Sequence, residues 1–488
     1  MNWNDLLSKE RLGGEIEIPY DQKKYSMSEF EKDYWRILDC SAFRRLQDKT
    51  QVFPLDKSDF VRTRLTHSLE VAALAKQLVA MVYKNIDTFT PSAIKERYPF
   101  TSENAQFAAD TVACAGLLHD IGNPPFGHFG EDVLHSWFEN NLKNLTYHDE
   151  DTDKEISLTK DEIIADLKHF EGNAQAFRLL TKLHSVDSEY GLNLTSAVLN
   201  TLVKYPTDSM HVNSDAENVC IHKLGYYYAD QDFFMTIAKH TGTYFNDMHH
   251  RHPLTFILEA ADDIAYATAD LEDSYKKGLF TIDEFKKFFT KELENITDHS
   301  QRQYAKELIQ QLDNFRNSAT AGASSELQAF QRWINYVRHW LVYCAAYGFT
   351  HNYQKIMEGN FFREIIIGTY HEGTMDILKK SMTQFTFCSS AILKLELSAE
   401  TIIEGLLERF VPAAIDWEVS SASRITKRKA EKKLMKLVSE NHKAAYIKCK
   451  KEDDKEYNLY LRLLLVADFV SGMTDTYAKT LYQELSGI

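Results

Sequence analysis

Four ionisable side chains lie close together around the end of one helix-forming run, in the stretch LLHDIGNPPFGHFGE at residues 117–131. His119 and Asp120 end the run, and His128 and Glu131 follow within a turn-rich segment. Imidazole and carboxylate groups bind divalent metal ions and also transfer protons. Adjacent residues on a continuous helix diverge by about 100°, so both can reach one ion only near a helix end. The glycine and two prolines that follow predict such an end.

Two further candidate metal ligands lie on other predicted helices. An apolar stripe predicts a helix from Arg64 to about Tyr83 and places His67 on its inner face. In PLTFILEAADDIAYATADLED, the spacing of four places Asp262, Tyr266 and Asp270 on one face. That face is apolar at first and then polar, which is typical of a helix that runs into a cavity. A single buried histidine is more often a hydrogen-bonded core residue, but the combination favours a metal site.

Apolar residues recur at helical spacing through most of the 488 residues, and the chain has only 19 glycines and 9 prolines. This pattern predicts an all-α fold and disfavours sandwiches, barrels and doubly wound sheets. We expect an N-terminal arm at 1–40, a catalytic core at 41–316 and a C-terminal helical region at 317–488 that packs on the core. An acidic segment near 139–165 is poor in large apolar groups and is expected to be a solvated excursion.

Composition excludes several classes of protein. The formal net charge of −15 disfavours general coating of DNA, which relies on a basic surface. The six cysteines are far apart and the chain opens without a secretory signal, so free thiols in a cytoplasmic protein are expected. No apolar stretch is long enough to span a bilayer, and we expect no membrane association.

The order of His67, His119-Asp120 and Asp262 resembles the H…HD…D signature of the HD-domain metal phosphohydrolases. Longer blocks between residues 43 and 478 resemble the deoxyguanosinetriphosphate triphosphohydrolase (dGTPase) family. These blocks are FRRLQDKTQVFPL, RTRLTHSLEV, HDIGNPPFGHFGE, HFEGNAQAFR, LVKYP, EAADDIAYATADLED and DFVSGMTDTYA. The resemblance implies an HD-domain helical core with additional C-terminal helices. It also implies that water attacks the α-phosphate of dGTP, giving deoxyguanosine and tripolyphosphate and so controlling the deoxynucleotide pool.

The resemblance assigns roles to individual residues. Four would bind one divalent ion, Mn²⁺, Mg²⁺ or Fe²⁺: His67, His119, Asp120 and Asp262. His128 and Glu131 would form the catalytic pair. The substrate contacts would be Arg64, Asn173, Lys204 and Tyr205 to the phosphates, Tyr266 and Asp270 to a deoxyribose, and Gln51 and Val52 near the base. Cleavage expels a 5′-alkoxide, which needs a proton donor or relay. Whether His128 gives or takes that proton stays open.

Several alternatives stay open. The chain could be a broad-specificity dNTP triphosphohydrolase, another HD phosphohydrolase such as a guanosine tetraphosphate hydrolase, or a silent nucleotide- or DNA-binding regulator. The resemblance also implies a homo-oligomer, hexamer or tetramer, with single-stranded DNA as a candidate effector. The basic run at 423–451 is interpreted first as a solvated helix face, and otherwise as a contact with a neighbouring subunit's site or with DNA. The block KLGYYYADQDFF at 223–234 resembles a family block but receives no role.

Overall fold

The computed structural model describes residues 1–14, 27–55, 58–184, 189–318, 325–417 and 428–488. Helices dominate these residues, and the sheet structure found there consists of two short antiparallel hairpins. One pairs β1 (Tyr147–Asp149) with β2 (Lys154–Ile156), and the other pairs β3 (Tyr244–Phe245) with β4 (Met248–His249). The predicted all-α class is therefore confirmed.

Among the described residues, twelve α-helices lead from the N-terminal part to the helix that carries Asp262. They are α1 (Trp3–Leu6), α2 (Glu29–Asp39), α3 (Ser41–Arg45), α4 (Arg64–Phe89), α5 (Ser92–Arg97), α6 (Ser102–Leu118), α7 (Gly127–Asn141), α8 (Asp161–Lys168), α9 (Gly172–Arg178), α10 (Ser196–Leu202), α11 (Gln231–His240) and α12 (Pro253–Ala265). Short 3₁₀ turns occur at Leu46–Asp48, Leu142–Asn144, Val219–Ile221 and Tyr228–Asp230, and α9 continues into a π-helical turn at Leu179–Leu183.

Helix α12 continues into a π-helical turn at Tyr266–Asp270, and the later helices follow this turn. They are α13 (Leu271–Lys276), α14 (Ile282–Glu292), α15 (His299–Ser318), α16 (Ser325–His351), α17 (Tyr353–Met357), α18 (Glu372–Met382), α19 (Ser390–Ile415), α20 (Arg428–Met435), α21 (Glu440–Cys449), α22 (Lys455–Ser471) and α23 (Asp475–Ser486). A 3₁₀ turn at Leu293–Asn295 and a π-helical turn at Thr383–Phe387 complete the described elements. In the part of the chain that the structure describes, none of these helices has the length and apolarity needed to cross a membrane.

The described residues form two units, each assembled from separated parts of the chain. Met1–Leu7, Gln51–Leu117 and His252–Leu395 make up the first, and Ser8–Thr50, Leu118–Arg251 and Glu396–Ile488 make up the second. The predicted domain boundaries near residues 40 and 316 stay a prediction, because each of the two units consists of segments that are separated in the chain.

The core of the first unit is built around α4, α12 and α16, which pack against one another. Thr63 precedes α4 and forms a capping box with Thr66. The Thr63 hydroxyl accepts a hydrogen bond from the Thr66 backbone N–H, and the Thr66 hydroxyl accepts one from the Thr63 backbone N–H. His67 lies on the buried face of α4, one turn before Val71. The inner face predicted for His67 therefore matches the structure, and α4 extends to Phe89.

The acidic segment at 139–165 is only partly a solvated excursion. Its hairpin is mostly exposed at Lys154 and Glu155, as expected. The start of α8 also lies in this segment, and there Ile163 is fully buried; just beyond, the buried Asp166 accepts a hydrogen bond from the Tyr460 hydroxyl. The expectation of solvation is wrong for α8, because its few apolar residues are spaced to form one buried face.

A buried ion-pair network holds the second unit together. The Arg178 guanidinium donates to both Asp468 oxygens at 2.9 and 3.0 Å and lies 3.3 Å from Asp230 Oδ1. Gln175 Nε2 donates to Asp468 at 2.8 Å. All four side chains are buried, so each charge depends on its partners for solvation.

Asp468→Ala should lower the free energy of unfolding by about 3–5 kcal/mol, because it leaves the Arg178 charge buried with too few partners. Urea unfolding followed by circular dichroism would measure this loss. The control is Asp453→Ala, which removes an exposed carboxylate and should leave stability unchanged. If Asp468→Ala lowers the free energy of unfolding no more than Asp453→Ala does, the result would contradict the stabilising role given to the network.

Candidate metal centre and catalytic pair

The turn that follows α6 brings His119 and Asp120 out of the helix. Backbone N–H groups of Ile121 and Asn123 donate to Leu118 and Asp120 carbonyls, which tightens the chain into successive turns. At Gly122 an added Cβ would lie 2.2 Å from both the Gly172 carbonyl oxygen and the Ala176 nitrogen of α9. Only glycine fits this close approach, so the turn can press against α9.

A left-handed residue reverses the chain into α7. Phe126 has φ of 66°, and its N–H donates to Asp475 Oδ1 at 2.9 Å. Asp475 Oδ2 accepts from the Thr50 backbone at 3.0 Å, which ties this reversal to α23. His128 and Glu131 therefore lie three residues apart within the first five residues of α7. The turn-rich segment predicted to contain them ends before α7 begins.

Two histidines and an aspartate form a group with the chemistry of a metal site. The side chains of His67, His119 and Asp120 each offer one ligand atom, and these atoms all lie within 4.8 Å of one another. His119 Nε2 is 3.5 Å from Asp120 Oδ2, and the Asn123 amide donates to the other Asp120 oxygen at 2.7 Å. Imidazole nitrogens beside a hydrogen-bonded carboxylate are donors that suit a divalent transition metal ion, so these residues fit such an ion.

The structure separates the two neighbouring aspartates of α12. Asp262 Oδ1 lies 3.0 Å from His67 Nε2. Asp263 Oδ2 instead lies 2.9 Å from Lys379 Nζ, on a different side of the helix. This arrangement supports Asp262 as the fourth candidate ligand.

His128 and Glu131 differ strongly in exposure. The His128 side chain is 79% exposed, whereas that of Glu131 is 8% exposed. His128 Nδ1 lies 3.9 Å from Glu131 Oε2, which is an ion-pair distance and too long for a hydrogen bond. Catalytic hydrogen bonds in ligand-free proteins are often long and shorten when substrate binds, so the distance is compatible with a proton-transfer pair.

Two residues that received no role from the sequence surround Glu131. Lys223 Nζ lies 3.0 Å from Glu171 Oε2 and 3.5 Å from Glu131 Oε1. The Glu171 and Glu131 carboxyl groups thus face the same ammonium group, and both are buried. Glu171 lies in HFEGNAQAFR and Lys223 begins KLGYYYADQDFF, so the only sequence signal was that both blocks resemble family blocks.

The residues predicted to contact phosphate have distinct surroundings. Arg64 is buried at the first position of α4. Asn173 donates its amide to Glu171 Oε1 at 2.7 Å. Lys204 and Tyr205 follow α10, where an added Cβ at Gly225 would lie 1.5 Å from the Tyr205 carbonyl oxygen. Block 223–234 therefore holds the Tyr205 backbone through a contact that only glycine allows.

The predicted sugar and base contacts meet around the π-helical turn. The sequence predicted one regular helix through Asp262, Tyr266 and Asp270, but the chain widens into a π-helical turn at Tyr266–Asp270. Neither carboxylate oxygen of Asp270 has a hydrogen-bond partner among the described residues. Burial raises the pKa of Asp270 to about 7, although His67, Arg62 and the nearby Gln51 oppose the rise. Gln51 thus lies beside the predicted sugar contact, and Val52, next in the chain, is buried.

The sequence model of the HD domain matches residues 64–189. The matched segment contains His67, His119 and Asp120 as well as His128 and Glu131. A helical fold with this group of candidate metal ligands defines the chain as an HD-domain hydrolase, a class that depends on metal ions.

Three curated relatives extend the similarity to nearly the whole chain. A deoxyguanosinetriphosphate triphosphohydrolase-like protein of Listeria innocua is 40% identical over 100% of both chains. A deoxyguanosinetriphosphate triphosphohydrolase of Serratia proteamaculans is 32% identical over 96% of this chain and 95% of its own. A probable deoxyguanosinetriphosphate triphosphohydrolase of Pseudomonas aeruginosa is 30% identical over 98% and 99%. The chain belongs to the deoxyguanosinetriphosphate triphosphohydrolase family.

Proposed function

We propose that this protein hydrolyses dGTP to deoxyguanosine and tripolyphosphate with the help of one divalent metal ion, and so limits the deoxynucleotide pool. The observation that carries the proposal is the group formed by His67, His119 and Asp120 in a chain of the dGTPase family. The names of the relatives from Serratia and Pseudomonas support dGTP as the substrate.

His67, His119, Asp120 and Asp262 would hold the ion, with Mn²⁺, Mg²⁺ or Fe²⁺ as the candidates. When bound, a divalent ion polarises a phosphoryl oxygen and makes water more acidic. The Asn123 amide, which donates to Asp120, would keep that carboxylate oriented.

The pair of His128 and Glu131 would move the proton that the reaction requires. The 5′-alkoxide is a poor leaving group, so the expelled oxygen must receive a proton or the attacking water must lose one. His128 is exposed enough to reach a substrate, and the buried Glu131 carboxylate would orient its ring and stabilise its charged form.

The remaining predicted contacts would bind the nucleotide. Arg64, Asn173, Lys204 and Tyr205 would supply cations and donors to the triphosphate oxygens. Asp270 would accept from the sugar 3′-hydroxyl, and the Tyr266 ring would exclude a ribose 2′-hydroxyl. Gln51 and Val52 would lie near the base. We further propose a cytoplasmic homo-oligomer, hexamer or tetramer, with single-stranded DNA as an effector.

Product analysis tests the proposal. Purified protein should convert dGTP to deoxyguanosine and tripolyphosphate in Mn²⁺ or Mg²⁺, with little product from GTP, and Asp120→Ala should abolish the reaction. Anion-exchange chromatography separates the products from each of the four dNTPs and from GTP. Equal turnover of all four dNTPs would replace dGTP by a broad substrate range. Pyrophosphate or orthophosphate as the product would contradict attack at the α-phosphate.

A further inference from the structure

Glu131 lies in a small polar cluster in which two members, Glu171 and Lys223, have no role in the proposed reaction. Its members are Glu131, Glu171, Lys223 and Asn173, and the two carboxyl groups are buried. Lys223 Nζ lies 3.0 Å from Glu171 Oε2 and 3.5 Å from Glu131 Oε1, so one ammonium group faces both acids. The Asn173 amide donates to Glu171 Oε1 at 2.7 Å. The cluster thus fixes Glu171 from two sides and Glu131 from one.

Two buried carboxylates would carry one negative charge more than the single ammonium group between them can offset, so one of the two is expected to hold a proton. Burial raises the pKa of Glu131, but the neighbouring His128, Lys223 and Glu171 outweigh burial and hold it well below its usual range. Burial and the charge of Glu131 raise the pKa of Glu171 well above its usual range, despite Lys223. Of the two, Glu171 is therefore the one expected to hold the proton, and its hydroxyl can then donate to Glu131.

The backbone at Gly172 allows this arrangement. An added Cβ at Gly172 would lie 2.2 Å from Asn123 Oδ1 and 3.2 Å from Glu131 Oε2. A side chain there would push into both groups, so glycine lets α9 bring Glu171 and Asn173 close to the first turn of α7. The same Asn123 donates to Asp120, so Gly172 lies beside a residue that orients a candidate metal ligand.

We propose that Glu171 and Lys223 are positioning residues for the catalytic pair. Protonated Glu171 donates a hydrogen bond to Glu131, and the Lys223 ammonium holds both carboxyl groups, so that Glu131 presents a fixed, ionised oxygen to His128. This inference rests on the proposed role of His128 and Glu131 in hydrolysis. It gives a function to two residues that received none from the sequence, and it makes the cluster sensitive to the ionisation of Glu171.

Other titratable groups around the cluster set the background for any pH dependence. His128 and Asp132 face Glu131 from α7, and Tyr205 faces Lys223. Asp132 lies next to Glu131 in the chain and is exposed, so water screens its charge. Ionisation of Glu171 differs because it removes the donor to Glu131 and adds a buried negative charge.

Three variants separate positioning from bulk structure. In the wild type, kcat for dGTP should fall at alkaline pH as Glu171 ionises. Glu171→Gln should keep kcat close to wild type at neutral pH, because its amide can still donate to Glu131, and its kcat should not fall at alkaline pH. Glu171→Ala should lower kcat by about 10- to 100-fold with a smaller effect on KM, as is usual when a supporting hydrogen bond is lost. Lys223→Met should move the acid limb of the kcat profile to higher pH. Glu162→Gln, on the exposed face of α8, is the matched control.

A readout without substrate keeps this test independent of the proposed function. In protein labelled with ¹⁵N-histidine, the His128 ring resonances are assigned by their loss in His128→Gln. In wild type and in Glu162→Gln they should show an extra inflection at alkaline pH as Glu171 ionises, and Glu171→Gln should lack it. Absence of nucleotide hydrolysis would defeat the proposed function but leave this titration valid. Retention of the inflection and of the alkaline limb in Glu171→Gln would overturn the role of Glu171.

Discussion

Asp262→Asn is expected to lower dGTP hydrolysis by at least about 1,000-fold and to cost the protein its bound metal ion, whereas Asp263→Asn should change neither. A metal ion contributes several kcal/mol to stabilising developing phosphoryl charge, and each 1.4 kcal/mol is a factor of ten in rate. Asp262 lies 3.0 Å from His67, while its neighbour pairs with Lys379. An amide keeps the shape of the carboxylate but carries no charge to offset the cation.

The two asparagine variants are matched, since they are isosteric changes at adjacent positions of one helix. Metal content is measured by elemental analysis after gel filtration in Mn²⁺, and hydrolysis is measured as tripolyphosphate released. Thermal unfolding of each variant shows that the helix is intact. If Asp262→Asn retains the metal ion, or if Asp263→Asn loses it, the assignment of Asp262 as the ligand is wrong.

His128→Gln is expected to lower kcat by about 10²- to 10⁴-fold, the usual contribution of a general acid or base, without changing the metal content. The His128 ring is exposed and lies outside the group of His67, His119 and Asp120, so its loss should not disturb ion binding. The histidine-to-glutamine control is His135→Gln on the same helix, which should keep wild-type kcat.

The leaving group decides which way His128 moves the proton. The phenolate of an acidic phenol leaves without protonation. A triphosphate ester of such a phenol should therefore restore most of the activity of His128→Gln if the imidazole is the acid. A deficit that persists with the phenol ester would assign His128 to the attacking water instead. Wild-type kcat for His128→Gln on dGTP would remove His128 from the mechanism.

Local patterns in the sequence were sufficient for several elements. The stripe that contains His67 and Val71 predicted α4, because burial of one helix face repeats every three or four residues. The glycine and prolines after Asp120 predicted the end of α6, because they cannot extend a helix. The start of α7 at Gly127 was missed, since it depends on Phe126 adopting a left-handed conformation that a contact with Asp475 supports.

The order and type of the candidate ligands, the helical class and the family resemblance were all accessible from the sequence. They depend on residue identity and on spacing within one element, which the linear chain contains in full. Only the tertiary structure brought Glu171 and Lys223 to Glu131, placed Gln51 near Asp270, and placed Asp263 beside Lys379. These partners are far apart in the chain, so their meeting depends on how the helices pack and on close approaches at Gly122, Gly172 and Gly225, which no local pattern encodes.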